Sequence, residues 1–200
     1  MNTRLKVAVL ISGRGSNLKA LIEACAAPGY PAEIVLVISS RADAGGLAYA
    51  KDAGIPTATV EHKNFVSRED FDAAMQKHLD GAGAGLICLA GFMRILSDGF
   101  VRKWQGRMVN IHPSLLPAFK GTHVHERVLA AGEKMSGCTV HYVTPELDSG
   151  PQIMQAQVPV LPQDTPDILA ARVLEAEHVL YPLALWKIAD ERIGPAAGGN

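Results

Sequence analysis

The sequence is short of the features that mark several protein classes. It holds three cysteines, Cys25, Cys88 and Cys138, with no CxxC pair. A disulfide scaffold is therefore not expected, and a reducing, cytoplasmic setting fits best. Each cysteine sits among apolar neighbours and reads as a small core hydrophobe. Charge of one sign is also missing: the net charge is −1, without a long basic run. That speaks against nucleic acid as the main ligand, although a local basic patch could serve a small phosphorylated one. No window approaches the ~20 apolar residues of a membrane span. The run VAVLI near the N-terminus is too short for the core of a signal peptide. There is no HExxH and no Cys/His quartet. His123 and His125 are two apart, which in a helix places them on different faces, so no metal is expected. A GxxxxGK[ST] loop for ATP phosphates is missing as well.

What is present is a chain of 200 residues, 48 % hydrophobic and 20 % charged. That composition suits one globular domain over residues 1–200, with no linker or internal repeat to divide it. Its first half alternates between two periods. Lys6–Ser12 and Glu33–Ser39 are β-branched runs of the kind found in strands buried on both faces. Thr57–Glu61, Gly85–Ala90 and Met108–His112 follow as further strands. Between them, residues 17–26, 46–54 and 67–79 carry helical spacing, with Gly54 as a stop signal and Ser67 as an N-cap. Strands alternating with helices imply right-handed βαβ units and a parallel sheet. A short helix is expected near residues 123–132. Cys138–Val143 and Ile153–Val160 are then expected to add antiparallel strands, before a last helix from about Asp167 to Glu191 that Pro182 kinks or divides. The fold class is α/β: a Rossmann-like, doubly wound, mostly parallel sheet with an antiparallel C-terminal extension. The tail GPAAGGN reads as frayed.

Three stretches carry possible chemistry. SGRGSN, Ser12–Asn17, follows the first strand and opens the first helix. Gly13 and Gly15 permit a tight turn, and the helix N-terminus then offers free N–H groups to an anion, with Ser16 and Asn17 beside it. Residue 18 is Leu, where a dinucleotide fingerprint has its third Gly, so a monophosphate suits better than a pyrophosphate. A plain βα turn is the alternative reading of the same residues. In NIHPSLLP, Asn110 and His112 are i and i+2 on a strand and point to one face. A carboxamide and an imidazole there can stabilise an oxyanion and move a proton, or merely satisfy a strand end. PELDSGP supplies Asp148 in a loop, either solvated or close enough to His112 to favour its imidazolium. No Ser or Cys is placed for covalent acyl catalysis. SGRGSN, AGFMRIL and NIHPSLLP all fall at carboxyl ends of strands, where open α/β sheets bind ligands, and are expected to meet at one crevice. A nicotinamide-dependent oxidoreductase and a non-catalytic nucleotide-binding module are the rival classes.

In their order, VLISGRGSNL, SRE, LAGFMRIL, NIHPSLLP, GTH and GCTVHYVTPELDSGP resemble the folate-dependent formyltransferases over about residues 6–190. GRGSN and the short length point, within them, to the glycinamide ribonucleotide branch rather than to branches with an added N- or C-terminal domain. The resemblance implies formyl transfer from 10-formyltetrahydrofolate to a glycinamide ribonucleotide, in purine synthesis, by a cytoplasmic monomer or homodimer. It implies small-molecule substrates, with no nucleic acid, membrane or metal. It assigns catalysis to Asn110, His112 and Asp148. It places the ribonucleotide phosphate against Gly13, Gly15, Ser16 and Asn17 in the N-terminal half, with the ribose hydroxyls on Glu177. Folate falls to Arg68, Met93, Arg94, Ile95, Leu96, Asn110, Thr144, Pro145, Glu146, Leu147 and Asp148, mostly in the C-terminal half. It further implies a cis peptide at Leu116-Pro117. Two residues depart from the family pattern: Arg14 stands where Asn is frequent, and Pro145 where an acidic residue is frequent.

Overall fold

A computed structural model describes residues 4–193; the tail read above as frayed lies outside them. Five strands run parallel: β1 (Leu5–Ile11), β2 (Ala32–Ser39), β3 (Thr57–Thr59), β4 (Leu86–Leu89) and β5 (Met108–His112). Two more, β6 (Met135–Tyr142) and β7 (Gln152–Pro159), extend the sheet antiparallel beyond β5. The order across the sheet is β3-β2-β1-β4-β5-β6-β7. The chain therefore winds outward from β1 in one direction and from β4 in the other. Their carboxyl ends flank a topological switch point, the usual place for a ligand in such sheets.

The strand sequences lack a polar face because both faces are covered. Val7, Val9 and Ile11 of β1 join one core with helices α1 (Ser16–Ala26), α5 (Val124–Ala130) and α6 (Pro166–Ile193). Ala8 and Leu10 of the same strand join a second core with α3 (Arg68–Ala82) and α4 (Asp98–Lys103). The remaining helix, α2 (Gly46–Asp52), packs against α1 and contributes Ala50 to the first core. Ser67 caps α3 by accepting the Asp70 N–H at 3.0 Å. All three cysteines are buried and unpaired.

Two outcomes differ in detail from the sequence reading. Pro182 does not divide the last helix: α6 runs for 28 residues through it. Leu180, Tyr181, Ala184 and Leu185 around the proline are all buried. The Tyr30 hydroxyl donates to the Pro182 carbonyl at 2.6 Å. Packing along this face outweighs the ~3 kcal/mol a helical proline costs. A single 3₁₀ turn at His62–Asn64 and the short α4 were not expected. Both are too brief to leave a periodic signal. The Leu116-Pro117 peptide is cis.

Candidate active site

The SGRGSN turn has the form its glycines allow. Gly15 caps α1 with φ 77°, and no side chain takes the first N–H groups of the helix. A Cβ on Gly15 would lie 2.4 Å from Gly46 Cα of α2, which any larger residue would push away.

The three unusual stretches do converge. Gly13, Gly15, Ser16, Asn17 and Glu177 line one cleft of 830 Å³, whose walls include Arg14, Gly91, Met93 and Pro113. Asn110, His112 and Gly91 line an adjoining cleft of 400 Å³. Arg68, Met93, Arg94 and Ile95 line a third, of 460 Å³, with His62 and Phe71. Met93 borders all three. Leu96 is buried in the second core and backs this wall from behind. Thr144, Pro145, Glu146 and Leu147 line none of the three clefts.

Glu177 is buried on α6 and accepts a hydrogen bond from Asn17 Nδ2 at 2.7 Å. Burial pushes its carboxyl up to about 7, against the pull of that hydrogen bond. Asn17 Oδ1 is buried without a partner among the described residues. The anion loop and a carboxyl are thereby joined on one cleft wall, 160 residues apart in sequence.

Asp148 is not a solvated loop residue. Its side chain is 7 % exposed, and its Oδ2 stands 3.4 Å from His112 Nδ1. The Gly121 N–H donates to the same oxygen at 2.8 Å. Asp148 itself has φ 48°, an uncommon conformation for a residue with a Cβ, and the flanking turn holds it there. His112 Nε2 lies 2.9 Å from the Phe119 carbonyl, which can only accept, so Nε2 carries the hydrogen. A second proton on Nδ1 gives an attractive pair with Asp148. Without it, a lone pair would face the carboxylate.

The sequence reading passed over His141. In the β5–β6 register it lies directly opposite Asn110. Its Nδ1 is 3.0 Å from the Tyr142 carbonyl and therefore carries the hydrogen. Burial lowers its pKa below the ordinary histidine value, favouring the neutral ring. Its Nε2 is thus an acceptor, 3.4 Å from Asn110 Nδ2 and 3.6 Å from Asp148 Oδ1. Of these two, Asn110 alone can donate to it, since a carboxylate only accepts. The contact turns the amide nitrogen of Asn110 toward His141 while leaving that nitrogen's second hydrogen free. His125, half-buried on α5, borders both the anion-loop cleft and the His112 cleft. His123 sits at the helix N-cap, exposed and paired with Glu126 at 2.7 Å, and borders the His112 cleft alone. Among the described residues, no group of three or more His, Cys, Asp or Glu is arranged to hold a metal. No described helix is long and apolar enough to cross a membrane.

Comparison with known proteins gives a consistent result. The family model described as formyl transferase matches residues 5–185. A phosphoribosylglycinamide formyltransferase of Escherichia coli is 46 % identical over 94 % of this chain and 89 % of its own length. The crystal structure of a phosphoribosylglycinamide formyltransferase from Brucella melitensis superposes with a TM-score of 0.90 at 56 % identity, covering 94 % of this chain and 96 % of that one. The trifunctional purine biosynthetic protein adenosine-3 of Gallus gallus is 51 % identical over 98 % of this chain, which spans only 20 % of that protein's length.

Proposed function

The chain belongs to the formyl transferase family, and from that premise we propose that it transfers the formyl group of 10-formyltetrahydrofolate to the amine of N1-(5-phospho-D-ribosyl)glycinamide. The products are formylglycinamide ribonucleotide and tetrahydrofolate, in de novo purine biosynthesis. The observation that carries the assignment is the crevice itself. An uncapped helix N-terminus with Glu177 opposite it opens into the cleft that holds Asn110 and His112.

In this reading the ribonucleotide phosphate takes the free N–H groups after Gly13 and Gly15, with Ser16 and Asn17 adding side-chain contacts. Glu177 takes the ribose hydroxyls. Folate lies along Met93, Arg94 and Ile95, with Arg68 near its carboxylates and Leu96 behind. The loop Thr144, Pro145, Glu146, Leu147 and Asp148 reaches the folate from the β6 side. The amine attacks the formyl carbon directly, and the carbonyl oxygen becomes an oxyanion. Asn110 Nδ2 offers its free hydrogen to that oxygen. His112 adds a charged donor once its Nε2–H exchanges the Phe119 carbonyl for the oxyanion. Asp148 holds the imidazolium and helps pass the amine proton, through water, to the departing folate nitrogen. The C–N bond to folate then breaks. The protein's part is positioning and electrostatics, while the folate carries the one-carbon unit.

We read the chain as one formyltransferase domain, its N-terminal half for the ribonucleotide and much of its C-terminal half for folate. It acts on small molecules in the cytoplasm, as a monomer or homodimer, without nucleic acid or membrane. The test is an omission assay that follows folate absorbance. Formylfolate should be consumed only when glycinamide ribonucleotide is present. Consumption independent of the ribonucleotide would overturn the assignment of the acceptor.

A further inference from the structure

We propose that Asp72, which lines none of the three clefts, is a positioning residue for folate: through Ser97 it fixes one end of loop 91–96, whose other end is fixed by Ser12. The proposal deepens the reading above and rests on it.

Loop 91–96 joins β4 to the cap of α4 and has neither helix nor strand. It presents Met93 and Ile95 outward, 74 % and 72 % exposed, and Met93 is the wall shared by all three clefts. Apolar side chains turned toward solvent do not hold a backbone in place. Something else must define where this loop stands.

Phe92 and the buried Leu96 pack into the second core, and two buried polar side chains fix the backbone at its ends. At the first end, Ser12 follows β1 at the switch point and is 6 % exposed. Its N–H donates to the Gly91 carbonyl at 3.1 Å, and its hydroxyl accepts the Met93 N–H at 2.8 Å. The Ser40 hydroxyl lies 2.7 Å from the same oxygen and steadies it. At the second end, Asp72 on α3 is 3 % exposed and its Oδ2 accepts the Ser97 N–H at 2.7 Å. Ser97 in turn caps α4 by accepting from the Phe100 N–H. The neighbouring Phe71 stacks on Phe92 of the loop, with centroids 6.4 Å apart and planes 10° apart. One turn of α3 therefore grips the loop twice.

Asp72 is an expensive choice for this place. Burial raises its pKa above the ordinary carboxylate value, and its second oxygen, Oδ1, is buried without a partner among the described residues. A fold needing only bulk here would use an apolar side chain, which has no such desolvation cost. What the carboxylate supplies is a short, charge-assisted bond to one amide, and so a fixed end for the loop. Ser12 opens the SGRGSN turn and lines the anion-loop cleft, so its hydroxyl also ties the ribonucleotide wall to the folate wall. Reacting atoms must meet within ~3–3.5 Å, and a 1 Å misplacement can cost on the order of 10²-fold, which makes the standing of this loop consequential.

The experiment measures steady-state kinetics with each substrate varied in turn, together with thermal unfolding, for Asp72→Ala, Asp72→Asn, Ser12→Ala and the Asp72→Ala/Ser12→Ala double variant. Asp72→Ala should raise the KM for 10-formyltetrahydrofolate on the order of tenfold, the scale of a lost charged hydrogen bond, with the KM for ribonucleotide within about twofold. Asp72→Asn retains an acceptor oxygen and should recover most of the loss. Ser12→Ala should also raise the folate KM, and the double variant should cost less than the product of the singles, because both act on one loop. A folded Asp72→Ala enzyme with unchanged folate KM, or with both KM values raised alike, overturns the proposal. If Asp72→Ala does not fold, Asp72→Asn and Ser12→Ala decide it: an unchanged folate KM in Ser12→Ala is then the contrary result. A wild-type enzyme that fails to formylate the ribonucleotide would instead defeat the functional reading, before any variant is compared.

Discussion

Asn110 and His141 stand opposite one another across the antiparallel pairing of β5 and β6, with Asn110 Nδ2 3.4 Å from His141 Nε2. A neutral imidazole with its hydrogen on Nδ1 can only accept there, so it selects the orientation of the Asn110 amide. His141→Ala should release that amide. Turnover should fall on the order of 10-fold to 10²-fold, below the 10²–10³ seen when an oxyanion donor is lost outright. The KM for ribonucleotide should hardly move. Steady-state kinetics with both substrates varied checks both statements.

Asp148→Asn keeps the shape of the loop residue and removes its charge. His112 Nδ1 then faces no carboxylate at 3.4 Å. Turnover should fall on the order of 10²–10⁴, the scale of a positioned acid–base group. Ribonucleotide binding, measured separately by calorimetry, should survive. Adding Asn110→Ala should cost less than the product of the two single losses, since both groups serve one oxygen. Near-normal turnover in Asp148→Asn would remove this carboxylate from the mechanism.

Ser16→Asp places a negative charge at the uncapped N-terminus of α1. Ribonucleotide binding should weaken by roughly 1–3 kcal/mol through lost hydrogen bonding and added repulsion. Folate binding should change little. Equal weakening of both ligands in calorimetry would move the phosphate elsewhere.

Glu177 links folding stability to pH. Its carboxyl sits at about 7 in the folded protein, above the ordinary value of 4.5. The folded state therefore holds this proton more tightly than the unfolded state does. The contribution is fully present below the ordinary value and is lost as pH rises through about 7. Glu177→Gln keeps an oxygen for Asn17 and cannot ionise. In the ligand-free enzyme it should raise Tm at pH 8 more than at pH 5, while weakening the ribonucleotide. Thermal unfolding at the two pH values checks this. A larger gain at pH 5 would contradict the sign.

Much of the architecture was legible because both faces of β1 and β2 are covered, so their runs are unbroken and β-branched. NIHPSLLP and SGRGSN were legible because each needs unusual residues at fixed spacing. What escaped was set by partners distant in sequence. His141 reads as an ordinary strand residue until the register places it against Asn110. Asp72 falls on the apolar side of α3, and only the packing of α4 shows what it holds. Pro182 signals a break in any helix considered alone, yet burial on both sides of it carries α6 through. Leu96 belongs to the same motif as Met93, Arg94 and Ile95, and its side chain is buried in the core behind them.

The central claim is a direct transfer between two bound substrates, and the destination of the carbon tests it most directly. The wild-type enzyme would be mixed in a single turnover with glycinamide ribonucleotide and 10-formyltetrahydrofolate carrying carbon-13 in the formyl group, and the products read by mass spectrometry. The account predicts the label in formylglycinamide ribonucleotide, one per folate consumed, with none entering from labelled formate and ATP. Label recovered as free formate, with the ribonucleotide unmodified, would contradict it.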